Sequence, residues 1–295
     1  MSRRYTYLLL DVFTHTPLEG NQLAVLTDAR GLSDAEMQAL ARETSLSETT
    51  FILPRDEAVE HQQGVQVRIF TTQEELPFAG HPTLGTAWVV RQMIGRDVVE
   101  LALKVGRIPV HFAHDSHGRL MGEMRQRDPE FGMSYSAEEV SRATGVPLEH
   151  FERELPIQTV STGMPFIIVP LRSLDAMREL RVDQKSAGEF CRGRDGKFFY
   201  FVCRQTATEG TTLHARMQFY NGEDPATGSA AGCCAAWAVE HGVLASGAVG
   251  VIEQGLEIQR PSFIRIRARK SGEDVIDVHV GGGVAEVAHG EFVLE

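Results

Sequence analysis

The feature that most constrains this chain is a repeat of its own sequence. Glu75-Leu76-Pro77-Phe78-Ala79-Gly80 and Glu223-Asp224-Pro225-Ala226-Thr227-Gly228 both read Glu-x-Pro-x-x-Gly and lie 148 residues apart, half of the 295-residue length to within a residue. Arg68 and Arg216 stand at the same spacing, each on an expected strand just ahead of the motif. Ala87-Trp88-Val89-Val90 is echoed by Ala236-Trp237-Ala238-Val239 with one residue of slip, so the only two tryptophans occupy equivalent places. A shared strand, turn, helix and tryptophan reads as a duplication. The expected halves are 1–128 and 129–295, with the boundary near Arg127-Asp128-Pro129, and roughly the last ten residues are free to rejoin the first half.

Hydrophobic periodicity fills in the halves. Tyr7 to Phe13, Leu23 to Leu26, Thr50 to Leu53, Phe166 to Val169 and Phe198 to Val202 are short apolar runs, and Val65 to Phe70 largely alternates, as strands do. Ile264-Arg265-Ile266-Arg267-Ala268 places arginines on one face, as a half-solvated strand requires. Capping boxes predict helices opening at Ser33 with Glu36, running to about Glu43, and at Ser136 with Glu139, closed by Gly145. Two further helices, Pro82 to about Met93 and Gly228 to about Glu240, carry almost no charge, so both are expected to be buried all round inside curled sheets. Each follows one copy of the repeated turn. A helix N-terminus carries roughly half a positive charge and unpaired N–H donors. Two such corners offer an anion site without a lysine.

That possibility matters because the chain is acidic. A net charge of −11 excludes a protein that tracks nucleic-acid phosphates, which needs a basic face. Asp11 ends the first apolar run too early for an export signal, and no apolar stretch reaches the roughly 20 residues that span a bilayer. The expectation is a cytoplasmic protein without a membrane or nucleic-acid partner, whose ligand is a small anionic substrate. Cys191, Cys203, Cys233 and Cys234 have neither zinc-knuckle nor Cys-x-x-Cys spacing and read as small buried residues.

Three places carry candidate chemistry. The first corner, Pro77 to Gly85, sets His81 at the mouth of a helix, where the dipole disfavours imidazolium and a neutral ring can relay a proton; capping by local backbone is the plainer alternative. Pro82 is expected at the first helical position, and Gly80 is expected to leave its amide free to turn toward a ligand. In the second corner, Asp224 either holds His81 or orients substrate, or is only a turn aspartate before proline; Thr227 and Ser229 are N-cap types that could also meet a ligand. The third is Glu48, entering a β-prone stretch after a helix. In a closed pocket its carboxyl would be tuned toward acid/base work, and at an open strand start it would be a surface glutamate.

The order of motifs then adds a resemblance. Asp11-Val12-Phe13, Pro17 to Val25, Leu46-Ser47-Glu48-Thr49-Thr50-Phe51, Arg68-Ile69-Phe70-Thr71, Glu75 to Pro82, Gly222 to Gly232, Gly255 with Arg260-Pro261-Ser262, and Val278 to Leu294 are similar to the successive signatures of the PhzF-like phenazine-biosynthesis family. The likeness spans nearly the whole chain. It implies the diaminopimelate-epimerase-like α+β fold: two pseudo-symmetric halves, each a curled, mostly antiparallel sheet around a central buried helix. It implies that Glu48 shuttles a proton between carbons of a dihydro-hydroxyanthranilate ring without metal or organic cofactor. His81 and Asp224 are then its catalytic partners, and Ser47, Gly80, Gly228 and Ser229 bind substrate in the same cleft. A homodimer is also implied. The fold's racemising relatives use a cysteine in each corner; here those places hold Ala79 and Thr227, so cysteine-based epimerisation is not expected.

The motifs imply an acid/base pocket and leave its substrate open. The reading is a cofactor-independent isomerase moving a proton on a small carboxylate-bearing substrate, with a non-catalytic binding or regulatory protein as the alternative. His111, His114 and His117 have metal-like spacing, but an expected hairpin turn at Asp115-Ser116-His117-Gly118 and strand alternation point them apart, so no metal site is assigned. Gly281-Gly282-Gly283 lacks the strand-then-helix setting of a dinucleotide loop and is expected to bend a strand. Gly228-Ser229 is not a Gly-x-Ser-x-Gly nucleophile elbow.

Overall fold

The structure, a computed structural model, describes residues 2–219 and 222–295. Two compact units emerge: Met1–Arg125 together with Gly281–Glu295, and Gln126–Val280.

In the first unit, Arg3–Val12 pairs antiparallel with both Asn21–Leu26 and Val284–Leu294. Asn21–Leu26 then runs parallel to Thr49–Leu53, which is antiparallel to Val65–Phe70. Val65–Phe70 meets the short Glu75–Leu76 antiparallel and Val98–Leu103 parallel, and Gly106–His114 continues antiparallel. The parallel step needs a crossover, supplied by the helix Asp34–Thr44, whose Ser33–Glu36 capping box forms as expected.

The second unit repeats this pattern strand for strand. Pro165–Leu171 runs parallel to Phe198–Cys203, which is antiparallel to Leu213–Phe219. Leu213–Phe219 meets Gly222–Asp224 antiparallel and Val249–Gln254 parallel, and Ser262–Ser271 follows antiparallel. Its crossover holds two short helices, Leu174–Glu179 and Gln184–Cys191. The duplication is therefore one of topology as well as sequence, and it is the α+β, two-half architecture that the motifs imply.

Each unit has its charge-poor helix at the centre, Gly80–Ile94 in the first and Gly228–Glu240 in the second. In the second, all but Ser229 and Glu240 are buried; the first, expected to be buried all round, is instead exposed over its last residues, Gln92, Met93 and Ile94. Small residues permit this: a Cβ on Gly232 would come within 1.9 Å of the Gln126 side chain, which donates to the Gly228 carbonyl at 3.0 Å and accepts from Thr162 at 2.6 Å. The first helix begins at Gly80, two residues ahead of the expected start, so Pro82 is its third residue. That still falls in the first turn, where an amide has no intrahelical acceptor to lose. Gly80 is simply helical, with no positive φ. The tryptophans differ: Trp237 is buried and donates to the Pro156 carbonyl at 3.1 Å, whereas Trp88 is partly exposed.

The repeated Arg and Glu residues become matching forks. Arg68 holds Glu75 through Nε (2.8 Å) and a terminal nitrogen (2.6 Å), and Arg216 holds Glu223 at 2.7 and 2.6 Å. Each arginine also reaches its crossover: Arg68 bonds Asp34 at 2.6 Å, and Arg216 bonds the Met177 carbonyl. The fork fixes the turn that launches the central helix. Among the described residues, no helix is long and apolar enough to cross a membrane. The glycine run Gly281-Gly282-Gly283 lies against Phe13, His15 and Gly122, where side chains would collide at 2.4–2.6 Å. His111 and His114 are exposed on one strand and His117 is exposed in the turn that follows it.

Candidate active site

The first unit assembles its candidate residues from three segments. Helix Asp34–Thr44 is stopped by Ser45 in the left-handed conformation (φ 55°), and Leu46-Ser47-Glu48 leads into the strand Thr49–Leu53. Thr44 and Thr49 join across this link through their hydroxyls at 2.7 Å. Thr86, on the central helix, donates to Thr50 at 2.8 Å, tying the strand to the helix that carries His81. Glu48 is thereby held where its Oε2 lies 3.5 Å from His81 Nε2, with only 16% of the Glu48 side chain exposed. Glu48 is mostly buried beside His81 and does not stand free on the surface.

His81 is the second residue of its helix and is buried. Burial lowers it to about 3, against the opposing effect of a hydrogen bond with the Gln22 backbone. The contact with Glu48 is therefore not an ion pair at neutral pH, whatever its length. Its other nitrogen, Nδ1, lies 3.3 Å from Asn21 Nδ2. A neutral imidazole has one N–H and one lone pair. If Asn21 donates to Nδ1, Nε2–H points at the Glu48 carboxylate; if Nδ1 carries the proton, Nε2 can accept one from the Glu48 carboxyl. At 3.5 Å the Glu48–His81 edge is a close approach and not a formed hydrogen bond. Asn21 and Gln22 were legible only as part of a motif; nothing in the sequence gave them contact with His81, which arises because Asn21–Leu26 is the strand beside Thr49–Leu53.

Ser47 is exposed next to Glu48, and Gly80 is buried at the first helical position. The second unit sets Gly228 and Ser229 at the matching first and second positions of its helix, with Ser229 partly exposed. Thr227 precedes them at the N-cap without making a cap hydrogen bond. Its hydroxyl turns instead to Asp224, donating to Oδ2 at 2.6 Å. Asp224 closes the strand Gly222–Asp224, opposite Met217.

The thiols stand apart from this chemistry. Burial pushes Cys233 up to about 11 and Cys234 higher still, so neither is a ready thiolate. The two corner places hold Ala79 and Thr227.

Comparison with known proteins follows this geometry. The PhzC-PhzF family profile, described as phenazine biosynthesis-like protein, matches residues 10–290. An uncharacterised isomerase of Mesorhizobium japonicum is 34% identical, with 98% of each chain covered. The trans-2,3-dihydro-3-hydroxyanthranilate isomerase of Pseudomonas fluorescens is also 34% identical, over 98% of this chain and 100% of that protein. Among solved structures, a PhzF-family phenazine biosynthesis protein of Bacillus anthracis superposes with a TM-score of 0.89 at 25% identity, covering 99% of this chain and 100% of the other.

Proposed function

The chain belongs to the PhzC-PhzF family of phenazine biosynthesis-like proteins and is an isomerase, and on that premise we propose that it moves a proton within a small carboxylate-bearing substrate by acid/base catalysis at Glu48. The observation that carries the reading is the 3.5 Å contact between the mostly buried Glu48 carboxyl and a buried, neutral His81. A carboxylate so placed takes a proton from one carbon and, as the acid, returns it to another, so nothing is consumed and no cofactor takes part. His81 orients the carboxyl and steadies it in both protonation states. Asp224 is assigned with His81 to assist proton transfer at the substrate, and Ser47, Gly80, Gly228 and Ser229 to substrate binding. The protein is assigned as cytoplasmic and homodimeric.

The substrate class follows the relatives: a dihydro-hydroxyanthranilate or a comparable unsaturated carboxylate. Incubation with trans-2,3-dihydro-3-hydroxyanthranilate in D2O should place solvent deuterium in the product. Glu48→Gln, which keeps the shape and removes the base, should lower turnover by about 10²–10⁴-fold while still giving a ligand-induced thermal shift. Undiminished exchange in that variant would remove Glu48 from the mechanism. A thermal shift in the wild type with no isomerised product would mark a binding protein instead.

A further inference from the structure

The strand Val249–Gln254 ends in a fully buried glutamine, Gln254. In the first unit Val65 pairs with Leu101 and Gln66 with Ala102; in the second, Leu213 pairs with Ile252 and His214 with Glu253. These registers make Gln254 the counterpart of Leu103. The same strand position is thus filled by leucine in one half and by a glutamine with no exposed surface in the other. Burying an amide costs free energy unless each of its groups is bonded, and an apolar residue serves the fold at less risk.

Gln254 is bonded on every side. Its Oε1 accepts from the Tyr200 hydroxyl at 2.9 Å and from the Thr227 N–H at 3.2 Å. Its Nε2 donates to the Asp224 carbonyl at 2.8 Å and to Thr227 Oγ1 at 3.0 Å. Two donors on Oε1 fix which end of the amide is which. With Nε2 occupying the acceptor side of Thr227 Oγ1, the threonine proton has two acceptors in reach, Asp224 Oδ2 at 2.6 Å and Met217 Sδ at 3.3 Å, and the shorter bond to the far stronger acceptor, the carboxylate, takes it. Tyr200 supports this from its buried position.

We infer that Gln254 is a positioning residue: through Thr227 it directs a hydroxyl proton onto Asp224 and holds that side chain as an oriented carboxylate at the start of the helix Gly228–Glu240. For its catalytic consequence the inference rests on the isomerase reading above, in which Asp224 meets substrate. Asp224 gains a donor aimed at one oxygen, and the Thr227 amide and the Asp224 carbonyl are pinned by the same side chain. Several ionisable groups of this half have partners of their own. Tyr200 keeps its proton well above the ordinary phenol range because it is buried. Glu223 is matched by Arg216, His214 lies between Glu253 and Glu257, and Glu253 also accepts from the Ala207 and Thr208 amides.

The test uses three variants of the full chain. Gln254→Leu installs the side chain that the first half carries at this place and strands the Tyr200 hydroxyl and the Thr227 amide, so its unfolding midpoint is measured alongside; Thr227→Val removes the hydroxyl and leaves Gln254 intact; Thr227→Ser keeps the hydroxyl. In protein labelled with 13C at aspartate carboxyls, with Asp224 identified by its loss in Asp224→Asn, the Asp224 titration should move upward in the first two variants and stay in place in the third. Turnover of trans-2,3-dihydro-3-hydroxyanthranilate should show kcat lowered about ten- to hundredfold in Gln254→Leu and Thr227→Val, and restored in Thr227→Ser. A merely structural role would lower stability without moving that titration. An unshifted Asp224 in both Gln254→Leu and Thr227→Val overturns the inference. Absence of isomerised product in the wild type overturns the isomerase reading alone, and the titration then decides Gln254 by itself.

Discussion

His81 is the residue through which pH acts most directly on the candidate site. Its folded value is about 3, set first by burial, whereas in an unfolded chain it titrates near 6.5. Between those values the unfolded state binds a proton that the folded state refuses, so the group destabilises the fold progressively as pH falls from about 6.5 toward 3, and costs nothing above 6.5. The loss expected is on the order of a few kcal/mol. His214 acts in the opposite sense. Burial alone would lower it, but its bonds to Glu257 and Glu253 outweigh that and raise it, so its contribution is full below its unfolded value and is lost as pH rises through the folded one. Urea midpoints measured from pH 7 to 4 should therefore fall less steeply for His81→Asn than for the wild type, and equal slopes would show that the ring is solvated. In catalysis, His81→Asn should cost about 10²-fold in kcat, since a neutral side chain remains but the contact with Glu48 changes.

At the scale of elements, the two arginine forks make an internal comparison. Both tie strand to turn ahead of a central helix, yet Arg216 and Glu223 are more deeply buried, with 3% and 9% of their side chains exposed against 20% and 13% for Arg68 and Glu75. Breaking a buried charge pair strands the partner in a low-dielectric site, at about 3–5 kcal/mol, whereas a partly solvated one is rehydrated. Arg68 also keeps Asp34, and Lys104 lies 2.6 Å from Glu75, so the outer fork has substitutes. Glu223→Gln is accordingly expected to lower the denaturation midpoint clearly more than Glu75→Gln. Equal losses would mean that burial does not separate them. The forks also show why the corners were legible: an arginine and a glutamate at fixed spacing, repeated with the same turn, leave a linear trace. Helix caps left one too, at Ser33 and Ser136. The start of the helix at Gly80 did not, because a buried helix whose N-cap is Ala79 carries no side-chain capping signal.

Across the whole molecule, what could be read from the sequence follows contact range. The duplication, the two charge-poor central helices and the candidate acid/base residues lie in local motifs, and the fold they imply is the one present. The partners that complete the site come through sheet register instead. Asn21 reaches His81 across 60 residues, and Gln254 reaches Thr227 across 27, neither marked by spacing. The longest such link is the pairing of the first strand with the last, from Arg3 opposite Leu294 to Val12 opposite Val284 with a bulge at Leu9–Leu10. Arg3–Val12 lies between Val284–Leu294 and Asn21–Leu26, so without the last strand one entire edge of its backbone loses its hydrogen-bond partners, and buried N–H and C=O groups cannot be left unmatched cheaply. The Phe292 ring, packed against Tyr7 in a tilted pair with centroids 4.6 Å apart, would leave with it. A chain ending at Gly283 should therefore lose the cooperative unfolding of the first unit and with it turnover, whereas removing Glu295 alone should change neither. Because this pairing joins the two ends of the sequence, it closes the longest loop in the chain, and formation of the first unit's sheet should be slow and follow that of the locally connected second unit. Pulse-labelled hydrogen exchange would read this order directly: amides of Leu213–Phe219 should gain protection before those of Arg3–Val12, and the reverse order would show that closure of the chain ends comes first.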